Sequence, residues 1–161
     1  MHETPDDHDL AELLPGSWTV AATNLPLWLS GAGRDVRLSY ELVSSDPLVL
    51  ATGVSYRTPE DAEKSIVGRD TWRHDGFVRR GSGLRRMFTS RWTVSGTSED
   101  GTVLAARYRK SRSVPAGVDV MVREGTDHPE LRAMVARSTE RFGLTPEDFA
   151  SLSWLAPGPE S

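Results

Sequence analysis

Pro15-Gly16-Ser17-Trp18-Thr19-Val20-Ala21-Ala22-Thr23 is the stretch around which the chain is organised. An apolar lead-in, Leu10, Leu13 and Leu14, runs into Pro-Gly, and a strand then begins with a tryptophan. Trp18, Val20 and Ala22 fall on one face of that strand, and Ala21 flanked by threonines falls on the other. A strand that is apolar on both faces is covered on both. Nothing larger than alanine on the second face suits the close approach of a packed helix, and the chain offers one helix of that kind, near its C-terminus.

The 161 residues fit one domain with a real core. Average apolar and charged fractions place the chain among folded globular proteins. A net charge of -4 argues against nucleic acid as the main partner. The absence of cysteine excludes disulfides, thiolate metal sites and a cysteine nucleophile. The acidic start, Met1 to Asp9, is the opposite of a signal peptide. No apolar run approaches the about 20 residues of a membrane helix, so no membrane insertion is expected and a cytoplasmic location is the default. Residues 1–9 and 158–161 read as disordered tails around a single domain, 10–157.

After the first strand, runs of strand character follow at 35–43, 48–56, 64–72, 77–80, 88–95, 102–108 and 117–123, separated by turns such as Ser44-Ser45-Asp46-Pro47 and Ser98-Glu99-Asp100-Gly101. The second alternates Val36, Leu38, Tyr40 and Leu42 with Arg37, Ser39 and Glu41. Connections of hairpin length exclude parallel pairing. Eight meandering strands without helices to cover the edges remove those edges by closing into an antiparallel, up-and-down β-barrel.

Only then does the period change. Asp127 offers a cap and Pro129 a first turn; Leu131, Met134, Val135, Ser138 and Phe142 line one face, and Gly143 ends a helix over 127–143. That stripe needs a wall. The small outer faces belong to the first strand (Ala21), the seventh (Ala105, Ala106) and the eighth, which become neighbours if the barrel closes.

On these features the chain resembles the lipocalins, the small bacterial members in particular. Gly16-Ser17-Trp18 is similar to the family's Gly-x-Trp signature, and Arg123 to the arginine that covers that tryptophan at the closed end. The resemblance spans Leu10 to Pro157. It implies structural roles for Trp18 and Arg123, and a mobile first loop at the barrel mouth. Two expected features are missing: a Thr-Asp-Tyr-like segment before the last strand and a cysteine for a lipid anchor.

His2, His8, His74 and His128 share no metal-ligand spacing, so neither a metal nor a cofactor is expected. Gly81-Ser82-Gly83 is a turn, because it lies between strands and not before a helix. Arg79, Arg80, Arg85, Arg86 and Arg91 form a basic cluster that reads either as a solvated rim or as a site for an acidic group. Tyr40, Tyr56, Trp72, Trp92 and Tyr108 sit on successive strands, where a barrel directs about half of them inward. The greasy loop 25–29, with Leu25, Leu27, Trp28 and Leu29, reads as a lid over the mouth or as a dimer contact.

Three functions follow from this. The first is a carrier, monomeric or weakly dimeric, enclosing a small hydrophobic molecule. Its site would comprise Leu25, Leu27, Trp28, Leu29, Tyr40, Tyr56, Trp72, Arg91, Trp92 and Tyr108, with any acidic end met by Arg91 or its neighbours. The second is an isomerase or cyclase that holds a lipophilic metabolite in one conformation. The third is a protein-interaction module using loop 25–29.

Overall fold

Eight strands close on themselves. The computed structural model describes residues 4–26, 34–81, 89–111 and 115–155. Its strands are β1 (Gly16–Thr23), β2 (Arg34–Ser45), β3 (Leu48–Arg57), β4 (Glu63–Arg73), β5 (Gly76–Gly81), β6 (Thr89–Thr97), β7 (Val103–Tyr108) and β8 (Gly117–Arg123). Each pairs antiparallel with the next in sequence, and β8 returns to β1, from Trp18↔Arg123 to Thr23↔Asp119. This is the up-and-down barrel expected from the alternation. Where β1 leaves β2, past Thr19↔Arg37, a two-residue strand β9 (Ser153–Trp154) pairs with Ala22 and Thr23.

The parity of β1 departs from simple alternation. A bulge between Val20 and Ala22 breaks the register with β8. A bulge turns the residues beyond it to the opposite face. Trp18 and Val20 therefore belong to the inner core, whereas Ala22 joins the outer one. The expectation that Ala22 shares a face with Trp18 is corrected by that bulge. Leu42, expected on the inner face of its strand, is 44 % exposed, at another register shift next to the β2–β3 turn.

One end of the barrel is shut by α1 (Asp7–Leu13). Residues 7–9 therefore lie in a helix and not in a tail. Asp6 caps it, accepting from the Asp9 backbone N–H while the Asp9 side chain accepts from that of Asp6. Leu10 and Leu14 are completely buried against the inner core.

The helix expected over 127–143 is shorter: α2 spans Leu131–Arg137. Asp127 is exposed, the N-cap is Glu130, and no side chain caps it. After Ser138 the chain turns, because the Phe142 carbonyl is taken by the Ser95 hydroxyl at 2.7 Å and the Gly143 carbonyl by Arg107 at 2.9 Å. A third helix, α3 (Pro146–Ser151), carries a capping box at Thr145. Val135, Phe142, Leu144 and Leu152 pack on Ala22, Val103, Ala105, Val118, Val120 and Val122. The outer seam thus lies over the first, seventh and eighth strands, although of the two alanines on the seventh only Ala105 faces it, since alternation turns Ala106, expected on the same face, into the inner core. Among the described residues no helix is long and apolar enough to cross a membrane.

Candidate functional site

The closed end is a structural device. The Trp18 indole N–H donates to the Leu14 carbonyl at 3.0 Å. The Arg123 guanidinium lies 4.4 Å over the Trp18 ring and donates to the carbonyls of Pro15, at 3.1 Å, and Leu13. Three carbonyls at the C-terminal end of α1, which would otherwise go unpaired, are received in this way. A cation at a helix C-terminus is also favoured by the peptide dipoles.

Above that floor the inner wall carries a row of aromatic side chains. Trp72 pairs with Phe77, Phe77 with Trp92, Trp92 with Tyr108, and Tyr108 with Gly117. The ring centroids of Phe77 and Trp92 are 4.8 Å apart, those of Trp92 and Tyr108 6.0 Å, and Tyr40 stacks on Trp92 at 5.9 Å. Trp72 meets Phe77 edge-on at 5.1 Å. The row ends at Gly117 because Leu25 fills that place: a Cβ on Gly117 would fall 2.4 Å from the Leu25 side chain.

Within this aromatic wall sits a charged pair. Arg79 reaches Asp70 through Nε, at 2.9 and 3.2 Å to its two oxygens, and through Nη2 at 3.1 Å. The same Nη2 donates to the Tyr40 hydroxyl at 3.2 Å, and Thr52 donates to Asp70 at 3.0 Å. The guanidinium also lies 5.2 Å over Trp92 and 6.0 Å over Tyr108. Burial is the largest influence and opposes its charge, but the Asp70 carboxylate, together with the Tyr108 and Tyr40 phenols, outweighs it and holds Arg79 well above the ordinary arginine range. Burial raises the Tyr40 phenol well above its usual value and pushes Tyr108 up to about 12, so both stay protonated donors.

Asp119 is the second buried carboxyl, 1 % exposed, on β8 opposite Thr23. Thr23 accepts the Leu25 backbone N–H at 2.9 Å and hydrogen-bonds the carboxyl. The other oxygen, Oδ1, has no partner among the described residues, and neither does the indole N–H of Trp92. Burial pushes the Asp119 carboxyl up to about 7, against the opposing pull of Thr23 and the Arg79 charge.

Of the residues the sequence singled out, the structure brings Tyr40, Trp92 and Tyr108 together as buried inner-wall neighbours, with Trp72, Tyr56 and Leu25 packed against the same core. All five strand aromatics face inward, more than the half expected. Arg91 is the correction: it is exposed on the outer face, because it alternates with the inward Trp92. The inward arginine is Arg79, in step with Phe77. Leu27, Trp28 and Leu29 lie outside the described residues, as do Arg85 and Arg86. Asp70, Thr23 and Asp119 were missed, and Arg79 was singled out only as one member of the basic cluster. Only Asp119 had a legible signal, a lone acid within Val118-Asp119-Val120-Met121-Val122. Among the described residues no group of three or more metal-ligating side chains occurs.

No protein-family model matches the sequence, and no curated protein matches it. Solved structures do. A bovine lipocalin allergen aligns at 13 % identity over 89 % of this chain and 93 % of its own, with a TM-score of 0.57. The amine-binding protein of Rhodnius prolixus, in its tryptamine complex, aligns at 13 % identity over 96 % and 84 %, with a TM-score of 0.63. Lobster apocrustacyanin A1 aligns at 7 % identity over 90 % and 78 %, also at 0.63. The barrel therefore has the lipocalin fold.

Proposed function

We propose that this lipocalin barrel is a carrier that encloses a small, largely hydrophobic molecule carrying a polar end. The observation that supports it most is the interior itself. A wall of six aromatic side chains, Tyr40, Tyr56, Trp72, Phe77, Trp92 and Tyr108, holds two fully buried polar atoms, Trp92 Nε1 and Asp119 Oδ1, without partners among the described residues. A barrel evolved only to be filled would pair or omit such groups, since each unmade hydrogen bond costs about 1–3 kcal/mol. A ligand with complementary polar atoms would satisfy them. Affinity would come from apolar area removed from water, at roughly 25 cal/mol per Å² before the costs of ordering. The fold neighbour from Rhodnius prolixus holds tryptamine, an aryl group with one polar end, which is a ligand shape of this kind.

Arg91 faces outward and the inward Arg79 is already engaged by Asp70, which argues against an acidic polar end. Native mass spectrometry of freshly purified protein should reveal a retained small molecule that is released on denaturation. Titration with the neutral lipophilic dye Nile red should give saturable binding and a blue-shifted emission. Protein that carries nothing and leaves Nile red unchanged would remove the carrier reading.

A further inference from the structure

Among the described residues the charge inside the barrel does not balance: two buried carboxyls, Asp70 and Asp119, accompany one inward guanidinium, Arg79. Three contacts of Arg79 go to Asp70, with Tyr40 and Thr52 completing that cluster. Among the described residues Asp119 receives only the Thr23 hydroxyl, and its buried Oδ1 has no partner. When Asp119 is ionised, this set carries one net negative charge.

We propose that Asp119 is the receptor for the protonated amine of a monocationic, otherwise apolar ligand, which rests on the carrier reading above. A carboxylate oxygen out of water is stabilised most by a charged N–H donor, whose hydrogen bond is shorter and about twice as strong as a neutral one. An ammonium group satisfies Oδ1 and cancels the unbalanced charge in one contact. A neutral alcohol would satisfy the oxygen and leave the charge. A carboxylate ligand would add a third negative group beside the one inward cation of the described residues. A metal ion needs several ligands, and no group of three metal-ligating side chains occurs among the described residues. The amine would sit beside Tyr108, whose ring borders Asp119 along the wall; aromatic faces favour cations.

A pH dependence follows from the same geometry. Among the described residues the charged or titratable groups coupled to Asp119 are Arg79 on β5 and Tyr108 on β7; burial raises its pKa, while the Thr23 hydrogen bond and the Arg79 charge lower it. The carboxyl titrates at about 7, whereas alkylamines remain protonated throughout neutral pH. Amine binding should therefore weaken as pH falls through that value, because the receptor takes up a proton.

The test is calorimetric titration of two matched triads: phenethylamine, phenethyl alcohol and hydrocinnamate, then decylamine, decanol and decanoate. The wild type and Asp119→Asn are compared, Asn being isosteric and uncharged. Within at least one triad the amine should bind tightest, and Asp119→Asn should weaken it by about tenfold or more while the alcohol changes less than about twofold. Wild-type amine affinity should also fall between about pH 8 and about pH 6, with no such trend for the alcohol. Equal amine binding by the Asn variant, or tightest binding by the acid, would overturn the receptor and leave the carrier standing. Binding of Nile red but of no triad member would do the same. Failure of Nile red as well would overturn both.

Discussion

Gly16, Trp18 and Arg123 act as one unit, and each constrains the others. Gly16 has φ +125°, and a Cβ there would lie 2.6 Å from Nη1 of Arg123, so the glycine is what lets the guanidinium pass to the carbonyls of Leu13 and Pro15. Trp18→Ala removes a fully buried ring and should cost about 3–5 kcal/mol in urea unfolding. Arg123→Ala should also lower the midpoint, since it unpairs two carbonyls, and a variant melting like wild type would refute the assignment. The Arg79–Asp70 pair follows a different logic. A buried ion pair adds little over apolar residues of the same volume, but half of one is costly. Asp70→Asn strands the guanidinium and should cost about 3–5 kcal/mol, whereas Asp70→Leu combined with Arg79→Met should recover most of it. A double variant no more stable than Asp70→Asn would show that Tyr40 and Thr52 need the pair for their own hydrogen bonds.

Among the elements, β8 carries both faces of the design: Val118, Val120 and Val122 outward beneath α2, Met121 and Asp119 inward. Val135 is the fully buried residue of α2 in that seam, while Met134 is only half-buried. Val135→Asp should therefore cost several kcal/mol, and Met134→Asp clearly less, by the same denaturation assay. Equal effects would mean that α2 presents another face. The barrel, its closure and the seam were legible because alternation, turn chemistry and small outer faces are local signals that agree with one another. The length of α2 was not. Its 3.6 period runs on to Phe142, but the carbonyls of Phe142 and Gly143 are claimed by Ser95 and Arg107, partners that tertiary structure alone supplies. The same limit applied to the site. The aromatics could be named from strand position, yet the choice of Arg79 over Arg91 depends on register. The bulge that turns Ala22 outward also places Thr23 beside Asp119, and nothing in the run of small residues around it marks an inserted position.

At the scale of the whole molecule, Asp119 sets stability against function. Its carboxyl lies near 3.8 in the unfolded chain and is pushed up to about 7 in the folded one by burial. A raised folded pKa means that the native state holds the proton more tightly. The stability it lends is complete below about pH 4, is lost as pH rises towards about 7, and above that the fold is weaker by on the order of 4 kcal/mol. The lowered carboxyls have the opposite sign. Asp100, held down to about 2 by hydrogen bonds from Thr102 and Ser98, and Asp148, whose bonds from Arg107 and Thr145 outweigh its burial, lose their contributions only at more acidic pH. Of these three carboxyls, Asp119 alone changes charge between about pH 5 and about pH 8, and the comparison with Asp119→Asn separates it from the histidines that also titrate there. Urea midpoints of the wild type should fall across it, those of Asp119→Asn should stay level, and the variant should be the more stable at the alkaline end. A level wild-type profile, or a variant weaker there, would mean that the carboxyl is solvated in the folded chain. An occupant that neutralises Asp119 should reverse the loss, since a ligand bound only by the native state stabilises it by mass action. Decylamine should accordingly raise the wild-type melting temperature more at about pH 8 than at about pH 5, and do so only while Asp119 is present.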